Sequence, residues 1–104
     1  MLTNESIINR FFEMLDILKA SGASRGTAEF CNRYGIDRRN LYHLQQDPSR
    51  NIFKVQWLAH LVVDYAVSAE WLLTGVGDRF SNPEIAKNPQ RLRSILVRLS
   101  PFQS

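Results

Sequence analysis

The chain has 104 residues, of which 44% are apolar, and it carries a formal net charge of +3. This length and apolar content suit one folded domain with an appended tail. No run approaches the roughly 20 apolar residues of a membrane-spanning helix, and the N-terminus lacks the layout of a secretion signal. Cys31 is the only cysteine, which excludes an intrachain disulfide and a cysteine-based metal site. We therefore expect a cytoplasmic protein.

The positive charge is concentrated in two parts of the sequence. Residues 25–54 hold six basic and three acidic side chains, residues 83–104 hold four basic and one acidic, and the rest of the chain is net negative. Local concentration of this kind is how proteins bind phosphate groups. Small basic proteins are common whatever they bind, so charge alone leaves nucleic-acid binding open.

The first predicted element is a helix from about Ser6 to Lys19, with Asn4 as its N-cap. Its apolar residues recur at helical spacing and form one stripe: Ile8, Phe11, Phe12, Leu15 and Leu18. The small and polar segment Ser21–Gly26 breaks the pattern. No later stretch has the alternating pattern of paired strands, so the predicted fold class is all-α.

Two short helical segments then meet at one glycine. The first covers about Thr27 to Tyr34, and Gly35 tolerates the positive φ of a tight turn. Asp37 is placed to cap the second segment, which ends before Pro48 because a residue preceding proline avoids helical geometry. The apolar residues that would form the shared core are Phe30, Tyr34, Ile36, Leu41 and Leu44, with the small Cys31 between the helices. Together these features predict a helix-turn-helix.

A fourth helix is predicted over about Val55 to Val67. Its apolar face is predicted to comprise Val55, Leu58, Ala59, Val62 and Ala66. Trp57 either packs inside or lies exposed, in which case it would indicate a dimer surface. A fifth helix, Ala69 to Leu73, begins at a Ser68 cap and ends at Gly75. Its apolar residues are expected in the core: Trp71, Leu72 and Leu73.

A last helix is predicted from about Pro89 to Leu99, because proline at the first position favours a helix start. It carries an apolar stripe of Leu92, Ile95, Leu96 and Leu99. The chain therefore divides into a helical domain, residues 1–80, and a C-terminal extension, residues 81–104, that contains this short amphipathic helix.

Residues from about 8 to 80 resemble the lambda-repressor-like DNA-binding domains of phage and bacterial repressors. One motif is the helix-turn-helix, with Cys31, Gly35, Ile36, Leu41 and Leu44 at the family's small, glycine and apolar positions. The other is Val67–Gly75, read VSAEWLLTG, which looks like the closing helix of the CI-type phage repressor N-terminal domain. The resemblance implies a five-helix bundle, here with an extra C-terminal helix, operator binding through helix three, and usually dimerisation.

Helix three would present the residues that read DNA. Arg38 and Arg39 at its start suit a bidentate pair with a guanine edge and a contact with a phosphate. Cations at a helix N-terminus oppose its dipole, so two adjacent arginines favour a function over plain surface charge. The outward-facing polar residues that follow are Asn40, Tyr42, His43 and Gln46. Tyr42 has an alternative, which is partial packing against a neighbouring helix.

Residues on either side of helix three suit contacts with phosphates. Thr27 stands with free N–H groups at the start of helix two. Arg25, Arg50, Asn51 and Lys54 lie on the flanking loops. Solvated surface groups would explain these four loop residues equally well.

The predicted function is that of a sequence-specific transcriptional regulator of the phage-repressor type, encoded by a bacterium or phage, which binds double-stranded DNA as a homodimer. The stripe Leu92, Ile95, Leu96 and Leu99 is the candidate dimer contact, although it could equally fold back on its own domain. The alternative is a protein-interaction module on a helix-turn-helix scaffold, such as an antirepressor or an antitoxin partner. In that case Tyr42, Trp57 and the leucine stripe would matter more than the arginines.

We expect no enzymatic activity, no cofactor, no small-molecule ligand and no metal site. His43 and His60 have no cysteine or carboxylate at ligand spacing around them. The sequence also lacks a glycine loop that would cradle phosphate and a nucleophile elbow.

Overall fold

The computed structural model describes residues 2–82 and 85, and this part of the chain is all-α without a β-strand. Its five helices are α1 (Asn4–Ser21), α2 (Thr27–Tyr34), α3 (Arg38–Gln46), α4 (Val55–Tyr65) and α5 (Ala69–Thr74). The predicted all-α class is therefore confirmed for the described residues. The predicted last helix and its stripe lie outside them: Leu92, Ile95, Leu96 and Leu99.

Helix α1 is longer than predicted at both ends. Its cap is Thr3, whose Oγ1 accepts a hydrogen bond from the Ser6 N–H at 3.0 Å, while Ser6 Oγ accepts from the Thr3 N–H at 3.2 Å. This reciprocal pair is a capping box. The prediction of Asn4 as the cap is wrong because Asn4 already lies in the first helical turn. Gly22 ends the helix with a left-handed φ of 82°.

The core is built around the ring of Phe11, which is fully buried. Three other rings meet it edge to face, those of Phe12 at 5.2 Å, Phe30 at 5.7 Å and Phe53 at 5.5 Å. Trp57 packs beside it with centroids 6.1 Å apart. One side chain therefore ties α1 to α2, to the loop before α4 and to α4 itself. The aliphatic residues that complete this core include Ile8, Met14, Leu15, Leu18, Leu41, Leu44 and Leu61.

Arg10 joins α1 to the end of α5. Its Nε donates to the Leu72 carbonyl at 2.8 Å and its Nη2 donates to the Leu73 carbonyl at 3.0 Å. Carbonyls in the last turn of a helix lack intrahelical partners, and a cation beside them is favourable to the helix dipole. Arg10 therefore fixes α5 against α1.

Helices α2 and α3 are joined by a tight turn, as predicted. Gly35 ends α2 with a φ of 66°, and its N–H is bonded to the Cys31 carbonyl. Most side chains would be strained at that φ. Asp37 then caps α3, since its Oδ1 accepts from the N–H groups of Arg39 at 2.7 Å and Asn40 at 3.4 Å. The turn and cap together set the direction in which α3 leaves α2.

Replacing Asp37 with alanine is expected to lower the free energy of unfolding by about 1 kcal/mol, a typical cost for losing a helix cap. Two N–H groups of α3 would lose their acceptor, and two arginines would lose the carboxylate next to them in the sequence. Chemical denaturation measures the loss. Asp37→Asn keeps an acceptor oxygen and should cost less, so equal losses in the two variants would contradict this role.

Helix α4 buries only part of the face that was predicted. Its buried residues are Trp57, Leu58, Leu61 and Tyr65. Val55 is 73% exposed and Ala59 is also exposed. The prediction is confirmed for Leu58, which is buried, and for Val62 and Ala66, which pack partly buried against the core. It is wrong for Val55 and Ala59, because α4 carries apolar residues around most of its circumference and helical spacing fits more than one face. The burial of Trp57 also removes the alternative in which it lies on a dimer surface.

The predicted start of α5 and its Ser68 cap are confirmed. Ser68 Oγ accepts from the Trp71 N–H at 3.2 Å, and Gly75 ends the helix with a φ of 79°. Trp71 and Leu72 are buried as expected, but Leu73 is 46% exposed. The prediction for Leu73 is wrong because successive residues of a helix point in directions roughly 100° apart, and the core lies on the side of its two neighbours.

After α5 the chain returns to the junction between α4 and α5. Helix α4 stops two residues short of its predicted end, where Ala66 takes a left-handed φ of 57°. Val67 then pairs with Phe80 in an isolated β-bridge. The Ser81 N–H donates to the Ala66 carbonyl at 2.9 Å, and Ile85 is fully buried in the same core as the five helices.

Candidate nucleic-acid interface

Helix α3 has one buried side and one exposed side. Leu41 and Leu44 are fully buried. The exposed residues opposite them recur at intervals of three and four, so they form one stripe along the helix. We call this the α3 stripe: Arg39, Tyr42, His43 and Gln46. Tyr42 is 59% exposed, which is contrary to the alternative in which it packs against a neighbouring helix.

The start of α3 carries positive charge that no described carboxylate neutralises by direct contact. Neither Arg38 nor Arg39 forms an ion pair with another described residue. The carboxylates closest to α3 in the sequence have other partners. Asp37 caps the helix, and Asp47 accepts from the Ser49 hydroxyl at 2.6 Å and from the Ser49 N–H at 3.2 Å. These two bonds hold the pKa of Asp47 below its ordinary value. Since Arg38 and Arg39 have no ion pair with a described residue, both arginines are available to an anionic partner.

Asn40 lies at the edge of α3, in an open groove shared with the start of α4. Lys54, Gln56 and His60 line the same groove. The structure therefore brings together Asn40 and Lys54, two predicted contacts from separate segments. Gln56 and His60 were not among the predicted contacts, although their spacing of four residues does place them on one face of α4.

Thr27 begins α2 and is exposed. The N-cap of this helix is Gly26, which offers no side-chain acceptor to the first N–H groups. Unpaired N–H groups of this kind are a common binding position for a phosphate oxygen. The preceding Arg25 is 94% exposed, and its ion pair with Glu29 at 3.8 Å contributes at most about 1 kcal/mol. The start of α2 therefore remains open to an anion.

Arg50 and Asn51 lie apart from the groove that Asn40 lines. They line another groove, together with Asn4 and Glu5 at the start of α1. The predicted contacts of the loop before α4 are thus divided between two grooves. The carboxylate of Glu5 opposes the approach of a phosphate on the side of Arg50.

A polar and aromatic cluster, which the sequence did not predict, ties α2 to α4. The Tyr34 ring stacks on His60 with centroids 3.8 Å apart, and the Tyr34 hydroxyl donates to Asp64 Oδ2 at 2.6 Å. Arg33 Nη1 donates to the Tyr65 hydroxyl at 3.2 Å. Burial, with the hydrogen bond to Asp64 second, raises the pKa of Tyr34 well above its ordinary value. The cluster sets the position of α2 on α4, and therefore of the turn that leads into α3.

Tyr34→Phe is expected to lower the free energy of unfolding by about 1 kcal/mol at neutral pH, because Asp64 loses a hydrogen-bond donor. The folded protein holds the Tyr34 proton more tightly than the unfolded chain. That contribution is complete below the ordinary pKa of 10.0 and declines as the pH rises above it.

Denaturation at neutral and at alkaline pH measures this effect. The stability difference between wild type and Tyr34→Phe should shrink above pH 10.0. Tyr42→Phe removes an exposed hydroxyl that has no hydrogen bond to a described residue, and it should stay within about 0.5 kcal/mol of wild type. A stability difference between wild type and Tyr34→Phe that does not change with pH would contradict this role of the Tyr34 proton.

Cys31 is buried, as predicted, with 1% of its surface exposed. Burial raises the pKa of its thiol, and the charge of Arg38 offsets part of that rise. A buried, protonated thiol is a poor nucleophile. Among the described residues no three His, Cys, Asp or Glu side chains come together as a metal site would require. None of the described helices is both long and apolar enough to cross a membrane.

Comparison with known proteins found no relative of this chain. No protein-family model, no curated protein and no solved structure matches it. The assignment of a function therefore depends on the residues and the geometry described above.

Proposed function

We propose that this chain is a sequence-specific DNA-binding transcriptional regulator of the phage-repressor type, acting in the cytoplasm of a bacterium. The lambda-repressor-like arrangement of its helices is part of the proposal. The observation that carries it is the α3 stripe, an exposed row of donors on a short helix that follows a tight turn. The major groove of B-DNA is roughly 12 Å wide and admits one α-helix. Helix α3 is therefore the element that enters the groove.

The residues of α3 divide by position into base readers and positioning groups. Arg39, at the start of the α3 stripe, and Gln46, at its end, point in nearly the same direction, between those of Tyr42 and His43. Arg39 suits a bidentate pair with guanine, and Gln46 suits adenine. Tyr42 and His43, on either side, suit a thymine methyl group or a phosphate. Arg38 lies at the edge and suits a phosphate, which fixes register without reading sequence.

Groups outside α3 suit phosphate contacts and would help to hold α3 in this orientation. Thr27 stands at the uncapped start of α2, and Lys54 lies beside Asn40. Arg50 and Asn51 contribute less, because Glu5 lies in their groove. A homodimer would place two copies of α3 in successive major grooves, with half-site centres about 34 Å apart.

The alternative is a protein-interaction module on the same scaffold. The burial of Trp57 removes one of the surface features on which that reading depends. Salt distinguishes the two functions. DNA affinity falls steeply with salt in proportion to the phosphates neutralised, whereas apolar protein binding barely responds.

Selection of bound sequences from a random duplex pool tests the proposal, with purified protein at about 100 mM salt to weaken non-specific binding. An enriched palindromic site would support a sequence-specific dimer and give the half-site spacing. An enriched site without symmetry would support a protein that reads DNA as a monomer. Folded protein that enriches nothing would count against the proposal, and a pull-down for a protein partner would follow.

A further inference from the structure

His60 lies half-buried on α4 and lines the groove that Asn40 and Lys54 share beside α3. Its ring stacks on Tyr34 with 12° between the ring planes, and the Phe30 ring meets it edge to face at 6.4 Å. Neither nitrogen of the imidazole has a hydrogen bond to a described residue. Two aromatic contacts therefore fix the ring, while its polar atoms remain available to a partner in the groove.

The charges that line this groove cancel while His60 is neutral. Asp37 and Lys54 are the charged residues along it, and the other polar groups, Asn40 and Gln56, carry no charge. Asp37 accepts from two N–H groups of α3, whereas Lys54 forms no ion pair with a described residue. A protonated imidazole carries one positive charge and donates from both nitrogens. The groove therefore becomes net positive when His60 is protonated.

We propose that His60 is a further phosphate contact of the DNA interface and makes this contact in its protonated form, so that DNA binding takes up a proton from the solvent. The phosphate occupies the groove beside α3, where Lys54 and Asn40 supply the other donors. The groove has a volume of about 420 Å³, which holds a phosphate group with several waters at about 30 Å³ each. The inference rests on the proposed function, because it assigns one more residue to the same interface.

The groups packed around His60 decide how readily its ring accepts a proton. Those that are charged or titratable come from α2, from the cap of α3 and from α4 itself: Arg33, Tyr34, Asp37, Lys54 and Asp64. The two carboxylates and the face of the tyrosine ring favour a cation beside them, whereas the arginine and the lysine oppose it. DNA adds the negative charge of a phosphate to the favourable side. The imidazole therefore holds a proton more readily in the complex than in the free protein, and this difference links binding to pH.

The affinity of the full chain for duplex DNA, measured between about pH 5.5 and about pH 8, tests the contact, because histidine side chains change charge within this range. Wild type should bind about three- to tenfold more tightly at the lower pH, as expected of one charged hydrogen bond at a partly exposed position. The gain is complete while the free protein is already protonated at His60, and it disappears as the pH rises until the complex also loses the proton. The slope of log affinity against log salt should be steeper by about one at the lower pH.

The second histidine of the chain has to be separated from the first. The sequence contains two histidines, and His43 in the α3 stripe adds its own pH dependence if it contacts a phosphate. The titrations are therefore made in a His43→Gln background as well as in wild type, which leaves His60 as the remaining imidazole. A gain at low pH that persists in this background belongs to His60.

Two substitutions of His60 in the same background separate its charge from its packing. His60→Phe keeps a ring that can stack on Tyr34 but takes up no proton, so the gain at low pH should be lost. His60→Arg carries a planar cation that stacks on aromatic faces and stays charged at every pH. It should therefore bind about equally tightly at both ends of the pH range, whereas a purely structural role of His60 would give neither result.

The outcomes distinguish a failure of this contact from a failure of the proposed function. Duplex affinity that does not change with pH in the His43→Gln background would overturn the role of His60 and leave DNA binding by α3 in place. Full retention of the gain in folded His60→Phe would overturn it as well, and melting curves verify the fold. If His60→Phe does not fold, a gain in His60→Arg as large as that in the background protein would overturn it instead. No binding of wild type to any duplex at either pH would overturn the proposed function together with this contact.

Discussion

Replacing Arg38 and Arg39 together with alanine is expected to lower affinity for the selected DNA site by about 100- to 1,000-fold. A good bidentate contact with guanine is worth about 1–3 kcal/mol of discrimination, and each phosphate contact adds further binding that depends on salt. Neither arginine forms an ion pair with another described residue. The variant therefore removes binding energy without breaking a salt bridge within the protein.

The single variants should separate the two roles. Arg39→Ala is expected to weaken binding to the selected site and to leave non-specific binding much less affected, because Arg39 points along the midline of the α3 stripe and is proposed to read a base. Arg38→Ala should weaken binding to all sequences about equally and reduce the slope of log affinity against log salt by about one. Titrations of specific and random duplexes at several salt concentrations measure both effects.

Stability and affinity should change independently in these variants. Removing a cation from the start of α3 relieves an unfavourable interaction with the helix dipole, so the free energy of unfolding should stay level or rise by some tenths of a kcal/mol. Arg79→Ala is the matched control, since Arg79 is a half-exposed arginine that pairs with Glu13 at 3.6 Å. A loss of DNA affinity in Arg79→Ala as large as in Arg39→Ala would contradict a specific role for α3 and indicate a general effect of net charge.

The part of the fold that sequence predicted best is the unit of α2 and α3, because its signals are local. A glycine in a left-handed conformation, an aspartate cap and a proline after the end each act within a few residues. The bounds of α2 agree with the prediction for this reason, and so does the end of α3 before Pro48. The exposure of the α3 stripe also agrees, whereas its contact with DNA stays a prediction.

The buried face of α4 could not be derived from spacing. Two rows of apolar residues in α4 recur every four residues. One row is Trp57, Leu61 and Tyr65, and the other is Val55, Ala59 and Val63. The choice between them depends on the aromatic cluster of Phe11 and Phe53, which no pattern within α4 encodes. The contact of Arg10 with the carbonyls of α5 could not be derived from spacing either, because Arg10 and Leu72 are 62 positions apart in the sequence.

Phe11→Ala is expected to cause the largest loss of stability among single substitutions in the described core, about 3–5 kcal/mol. Phe11 is fully buried and has ring contacts with four other aromatic residues. Each edge-to-face pair adds about 0.5–1.5 kcal/mol beyond the burial of area. The total free energy of unfolding of a small domain is only about 5–15 kcal/mol, so a substantial part of the stability depends on this ring.

Thermal and chemical unfolding measure that loss, which should appear as a fall in Tm of roughly 15–30 °C for a domain of this size. Phe11→Leu fills most of the space and should cost clearly less, because swaps that nearly conserve volume are tolerated best. Tyr42→Ala removes an aromatic ring that is 59% exposed and should change stability by no more than about 0.5 kcal/mol. A cost below about 1.5 kcal/mol for Phe11→Ala would show that the cluster collapses around the cavity.

DNA binding by Phe11→Ala then reports how the core supports the interface. The Phe11 ring contacts Phe30 on α2 and Trp57 on α4, the two helices that flank the turn and the groove beside α3. If the domain unfolds as one unit, binding at low temperature should fall only in proportion to the folded fraction. Affinity per folded molecule would then equal that of wild type. A lower affinity in fully folded Phe11→Ala would instead show that the aromatic cluster also sets the angle of α3.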